Sequence, residues 1–251
     1  MVKVREIEAK SILNPSKIHD YCLNPFTGCE LNCAYCYARL FMRRYSGHAE
    51  PWGEFVDVKV NAPELLRRQL QRAKRGTVWI SSVCDPYQPL ESRYRLTRRC
   101  LKELAERNFP VVVQTKSALA VRDLDVFLRF EEIEVGFTIP TDDEETSRLF
   151  EPKASPLRDR LDGLEKIHRA GIRTFAFIGP ILPGRPERLV DMLRDRVDSV
   201  LIDRMNYVST LSGFYRRRSL EAAASDSFFL EMKALFVREL EKRGMDYEVF
   251  F

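Results

Sequence analysis

No run of about 18 apolar residues occurs in this 251-residue chain, so no membrane span is expected. No secretory leader is expected either, because the first eight residues include Lys3, Arg5, Glu6 and Glu8. Low-complexity segments and internal repeats are absent, and 45% hydrophobic with 31% charged residues excludes a disordered or fibrous chain. With no export signal the expected location is the cytoplasm, where thiols stay reduced. The six cysteines then read as ligands or core residues rather than disulfides. Charge of one sign is nearly lacking in excess: 41 basic against 37 acidic side chains leave +4, which permits an anionic or nucleic-acid substrate without predicting one.

What is present is an alternation of short apolar strands and amphipathic helices. Strand-like runs fall at 77–82, 110–115, 133–138, 172–178 and 199–203, with a first strand around 21–24. Helical periodicity places Leu65, Leu66, Leu70 and Ala73 on one face, then Cys100, Leu101, Leu104 and Ala105, then Leu157, Leu161, Leu164 and Ile167. Gly171 reads as a C-cap, and Ser117 and Asp123 as caps of a short helix through Val126 and Phe127. Such alternation implies an α/β fold with a parallel sheet covered by helices. Six strands suit a partial barrel with its site at the strand C-terminal ends. A doubly wound sheet is the other option, weakened by the missing Gly-rich dinucleotide fingerprint. We expect residues 1–204 to form the core barrel with an N-terminal segment. Residues 205–251 read as a C-terminal elaboration: a loop over 206–219, a helix over 225–243 and a closing strand over 246–251.

Cys29, Cys33 and Cys36 stand in a C-x3-C-x2-C spacing, between the first strand and a helix expected to begin near Ala34. Three thiolates can hold three irons of a cubane and leave the fourth open to a small molecule. A structural zinc site or a closed cluster is the alternative and needs a fourth ligand, for which Cys22 and His48 are the nearest candidates. That alternative corresponds to a nucleic-acid-binding protein rather than an enzyme.

Tyr35 and Tyr37 flank Cys36, and in this C-x3-C-x-aromatic-C pattern the loop resembles that of the radical S-adenosylmethionine superfamily. Further segments at expected strand ends carry the resemblance along the chain: Asp85 to Glu91, Leu96 to Leu101, Thr115-Lys116-Ser117, Glu151-Pro152 with Ser155, Pro156 and Arg160, and Phe177 to Ile181. Together they are similar to the spore photoproduct lyase-like branch.

The resemblance implies a partial (β/α)6 barrel of the radical S-adenosylmethionine type with a C-terminal helical extension. It implies a 4Fe-4S cluster on Cys29, Cys33 and Cys36 whose open iron chelates S-adenosylmethionine. One electron, from a flavodoxin- or ferredoxin-type reductant, cleaves that cofactor to a 5'-deoxyadenosyl radical that abstracts hydrogen from substrate. Tyr35, Lys116, Thr138 and Gly179 match cofactor-binding positions, and Tyr37 matches a tyrosine near the radical path. The family's Gly-Gly-Glu segment is absent. Ser82 stands at the position of the branch's hydrogen-donating cysteine; Cys84, two residues later, is the candidate donor here. The expected protein is a monomer with no membrane association, and nucleic acid is one candidate substrate.

Overall fold

The computed structural model describes residues 2–251, apart from the side chains of Arg43 and Arg44. The chain forms two compact units, one of residues up to Asn32 with Ala38–Val135, the other of Cys33–Tyr37 with Gly136–Phe251.

The strands of the first unit are β1 (Lys3–Ile7), β2 (Leu13–Pro15), β3 (Tyr21–Leu23), β4 (Phe26–Thr27), β5 (Phe55–Lys59), β6 (Val78–Ile80) and β7 (Val111–Thr115), with the start of β8 (Ile133–Thr138). Its helices are α1 (Ala38–Ser46), α2 (Ala62–Leu70), α3 (Glu91–Tyr94), α4 (Leu96–Glu106) and α5 (Leu124–Phe127). β3 pairs in parallel with β6, and β6 with β7, while β2 runs antiparallel on the far side of β3. The β-branched run Val111-Val112-Val113 is buried, as a strand covered on both faces requires. α2 buries Ala62, Leu66 and Leu70, and packs on α4, which buries Cys100, Leu101 and Leu104.

A small sheet of order β1-β5-β4 brackets Cys29 in sequence, β4 just before it and β5 after it, and the periodicity reading missed it. β4 pairs antiparallel with β5 through Phe26 and Val58, and ends one residue before Gly28. Phe26, Val56 and Val58 pack with Leu96 as an apolar cluster beneath it. β4 has two residues, too few to show a period, and β5 is buried along most of its length rather than alternating.

The second unit holds the end of β8, β9 (Arg173–Ile178), β10 (Ser199–Ile202) and β11 (Asp246–Val249). Its helices are α6 (Glu144–Phe150), α7 (Leu157–Arg169), α8 (Pro186–Leu193), α9 (Ser212–Arg216) and α10 (Asp226–Lys242). β9, β10 and β11 run parallel, and α10 packs against α8. Gly171 follows α7 with φ +82, the left-handed turn expected of it. The Ser225 hydroxyl accepts the Phe228 N–H at 3.1 Å and starts α10.

Three expectations need correction. The helix after the cysteines begins at Ala38, not near Ala34, because residues 33–37 are held as a turn. Residues 206–219 are not a loop: a 3-10 turn at Val208–Leu211 leads into α9. Ser117 does cap, accepting from the Leu119 N–H, but Asp123 does not. The Asp123 carboxylate is fully buried and accepts from the Tyr87 hydroxyl, Arg98 and Arg122. No helix among the described residues is long and apolar enough to cross a membrane.

Candidate active site

The cysteine loop divides between the two units, and each part is gripped by its own set of residues. In the first unit Gly28 turns the chain with φ +94, and Cys29 follows, buried. The loop after β6 closes over this segment. The Gln88 amide donates to the Gly28 carbonyl at 3.3 Å and accepts the Glu30 N–H at 2.9 Å. The Leu90 N–H donates to the Glu30 carboxylate at 2.7 Å. The Asp85 N–H donates to Cys29 Sγ at 3.4 Å.

Asp85 is itself pinned. Its carboxylate accepts the Thr115 hydroxyl at 2.7 Å, the Lys116 N–H at 2.8 Å and the Tyr87 N–H at 2.9 Å. Thr115 and Lys116 mark the C-terminal end of β7, where the chain offers a cation. One carboxylate therefore fixes both the loop that touches Cys29 and the backbone of Lys116.

Cys84 lies in the same unit, beside the Phe26, Val56, Val58 and Leu96 cluster, with its thiol directed at the Phe26 carbonyl at 3.6 Å. Burial pushes this thiol up to about 12, so it stays protonated at neutral pH. Ser82 accepts the Asn24 amide at 3.3 Å. His48 is not placed as a fourth ligand: its ring nitrogens face Asp57 at 2.8 Å and Glu50 at 3.2 Å, and its ring stacks on Phe55.

In the second unit the Ala34 N–H donates to the Phe150 carbonyl at 2.8 Å, and the Cys36 N–H to the Cys33 carbonyl at 3.2 Å. The Tyr35 hydroxyl donates to Glu151. Burial, with the Glu151 charge beside it, pushes the Tyr35 phenol well above its ordinary range. The other oxygen of Glu151 meets the Arg160 guanidinium at 2.5 Å. Arg160 also donates to the carbonyls of Thr138 at 3.0 Å and Ser155 at 2.6 Å. Phe150 is packed by Phe214 and Tyr215 of α9, with ring centroids 4.9 and 5.7 Å away. The C-terminal segment thus backs the residue that anchors Ala34.

Among the cofactor-binding expectations in this unit, Thr138 is fully buried at the end of β8. Gly179 follows β9, and the Phe177 ring occupies the space a side chain would take, 2.2 Å from a Cβ position. Tyr37 is 45% exposed and stands just before α1. Sequence reasoning singled out Glu151 and Arg160 as motif members without seeing their bond to Tyr35. It treated Gln88 as part of a polar loop, without its grip on Gly28 and Glu30. No periodicity signals such long-range pairs.

Three thiols in one loop are, by their chemistry, donors of the kind an iron–sulfur cluster takes. All six cysteines are free thiols, and the Cys29 sulfur already receives an N–H. Among the described residues no three His, Cys, Asp or Glu side chains are gathered around one ion position. A cubane held by three cysteines has no need of such gathering, since each thiolate binds its own iron.

The family model described as the Radical SAM superfamily matches residues 23–196, and the chain belongs to that superfamily. It is 38% identical over 184 residues to an uncharacterized protein of Methanocaldococcus jannaschii, covering 72% of this chain and 69% of that protein. It is 25% identical over 162 residues to a radical SAM Nalpha-GlyT isomerase of Pseudomonas phage M6, covering 64% of this chain and 33% of the phage protein. The chain therefore spans about a third of that relative, and 62% of an uncharacterized protein of Acidianus two-tailed virus. Its fold is that of spore photoproduct lyase complexed with dinucleoside spore photoproduct: TM-score 0.72, 14% identity, 98% of this chain and 81% of the lyase. The partial-barrel α/β class expected from the sequence is the fold found, and the protein is an enzyme of the radical S-adenosylmethionine type.

Proposed function

We propose that Cys29, Cys33 and Cys36 hold a 4Fe-4S cluster that binds and reductively cleaves S-adenosylmethionine, for hydrogen abstraction from an organic substrate. The observation that carries this reading is the grip on the cysteine loop. Gln88 and Asp85 hold the Cys29 side, and Phe150 and Glu151 hold the segment from Cys33 to Cys36. When bound, the cluster and cofactor supply one-electron chemistry and a 5'-deoxyadenosyl radical.

This chain's residues bind and orient. Tyr35, with its hydroxyl fixed by Glu151, presents an aromatic wall for the adenine. Lys116, its backbone fixed by Asp85, supplies a cation for the cofactor carboxylate. Thr138 and Gly179 shape the cofactor cavity at the ends of β8 and β9. Cys84 is held as a thiol, the form that can give up a hydrogen atom, and Tyr37 lies on the radical path beside the cluster loop. A flavodoxin- or ferredoxin-type protein supplies the electron in a reducing cytoplasm, a setting supported by six free cysteines. The enzyme acts as a monomer.

Nucleic acid is the substrate class to test first. The chain carries a net charge of +4, and the lyase of like fold is complexed with a dinucleoside.

The test is anaerobic reconstitution followed by electron paramagnetic resonance. A reduced 4Fe-4S signal that shifts on adding S-adenosylmethionine is the expected result. Formation of 5'-deoxyadenosine that rises with added oligonucleotide would establish the substrate class. A colourless protein with one tightly bound zinc would replace this reading with that of a nucleic-acid-binding protein.

A further inference from the structure

We propose that the loop from Asp85 to Gln88 is a positioning device for Cys29 that sets the reduction potential of the cluster, with Gln88 as its clamp. The inference rests on reading Cys29 as a cluster ligand.

Gln88 has no solvent exposure, and its single amide bonds the residues on both sides of Cys29. Its Nε2 donates to the Gly28 carbonyl at 3.3 Å, and its Oε1 accepts the Glu30 N–H at 2.9 Å. These two bonds fix the peptide planes that flank the ligand. A buried amide left half satisfied would be costly, so the pairing is held in place. Gln88 is tied back to Asp85 by its own N–H, which donates to the Asp85 carbonyl at 3.4 Å.

The other end of the same loop touches the sulfur. The Asp85 N–H donates to Cys29 Sγ at 3.4 Å in a buried setting. Three donors on the Asp85 carboxylate, from Thr115, Lys116 and Tyr87, keep that residue from turning away. An N–H aimed at a ligand sulfur stabilises the state with more negative charge, which is the reduced cluster. The device therefore raises the potential, and slackening it lowers the potential.

Gln88→Leu keeps the side-chain bulk and removes both bonds. Asp85→Asn keeps the N–H toward sulfur but turns one carboxylate oxygen into a donor among donors. The readings are the midpoint potential of the reconstituted cluster, followed by electron paramagnetic resonance, and the rate of iron loss to a chelator. We expect the reduced-to-oxidised ratio at a fixed applied potential to fall about tenfold in Gln88→Leu, about 59 mV for a one-electron couple. Asp85→Asn should shift the same way by less, and iron loss should quicken in both.

Far-ultraviolet circular dichroism checks that the variants fold. If Gln88→Leu fails to fold, Gln88→Met, an unbranched side chain of similar length that can neither donate to Gly28 nor accept from Glu30, decides by the same readings. A folded variant with the parent's potential and iron-loss rate overturns the proposal, and a variant that loses only thermal stability does the same. A parent protein that forms no 4Fe-4S signal at all overturns the cluster reading instead, so the two failures are told apart.

Discussion

The Glu151 carboxylate and the Arg160 guanidinium meet at 2.5 Å with side-chain exposures of 0% and 1%. This buried pair does more than join α7 to the end of α6, because the free oxygen of Glu151 takes the Tyr35 hydroxyl. Two charges in the interior recover their desolvation cost only when the pairing is complete. Here Ser147, Ser155 and the Thr138 carbonyl complete it. Removing one partner strands the other. Glu151→Gln should cost about 3–5 kcal/mol, and Arg160→Met about as much. Glu151→Gln with Arg160→Met together should cost clearly less than the sum. Urea unfolding of the four proteins checks this, and additive losses would show that the pair is not coupled.

Gly28 sits beside the first cysteine with φ +94, and a Cβ there would lie 2.4 Å from the Phe55 carbonyl oxygen. The neighbour is backbone of β5, so it has little freedom to yield. Gly28→Ala should therefore cost about 2 kcal/mol or more, from left-handed strain and the clash together. The distortion falls one residue before Cys29, so the iron bound after reconstitution should fall as well. Iron content that matches the parent would show that β4 does not register the cysteine loop.

How far these relationships were legible in the sequence depends on their range. Ile133 to Thr138 and Arg173 to Ile178 announce themselves as strands because their neighbours repeat the pattern. The cysteine spacing is likewise local, and so is Tyr35 beside Cys36. The bonds from Tyr35 to Glu151 and from Gln88 to Gly28 cross 116 and 60 residues of chain. Nothing in a period of two or 3.6 residues encodes such a pairing. β1, β4 and β5 escaped for another reason: β4 is two residues long, and β5, Phe55 to Lys59, is buried along most of its length rather than alternating. Asp123 looked like a cap because aspartate favours caps, yet tertiary bonds from Tyr87, Arg98 and Arg122 claimed its carboxylate first.

Cys84 gives a prediction that needs no substrate. Burial holds its thiol near 12, so at pH 8 only about one thiol in ten thousand is ionised. An unperturbed cysteine, with a pKa of about 8.5, would be about one quarter thiolate at that pH. Alkylation of Cys84 by iodoacetamide should therefore be slow in the folded protein and fast after denaturation, read by peptide mass spectrometry. Rapid labelling at pH 8 would mean that the thiol is not held in its protonated form. Cys84→Ala should keep the fold and, if this thiol is the hydrogen donor, lose solvent deuterium from the product when turnover is run in heavy water.

Arg67 of α2 and Glu103 of α4 link two helices of the first unit through bonds of 2.6 and 2.8 Å. The hydrogen bond from Arg67 is the main cause that holds Glu103 below the usual carboxylate range. A carboxyl group more acidic in the folded than in the unfolded chain stabilises the fold above the unfolded pKa, about 4.3. That contribution is lost as the pH falls through the folded value. Arg67→Gln removes the bond and brings Glu103 back toward its ordinary pKa. Arg67 is 60% exposed, so solvent screening keeps the loss small. The Tm of the variant should therefore lie a few degrees below the parent at pH 6. The two curves should converge as the pH drops toward 2, where Glu103 is protonated in both proteins. A Tm difference that persists unchanged into strong acid would mean that Arg67 acts by covering apolar surface with its stem rather than by its charge.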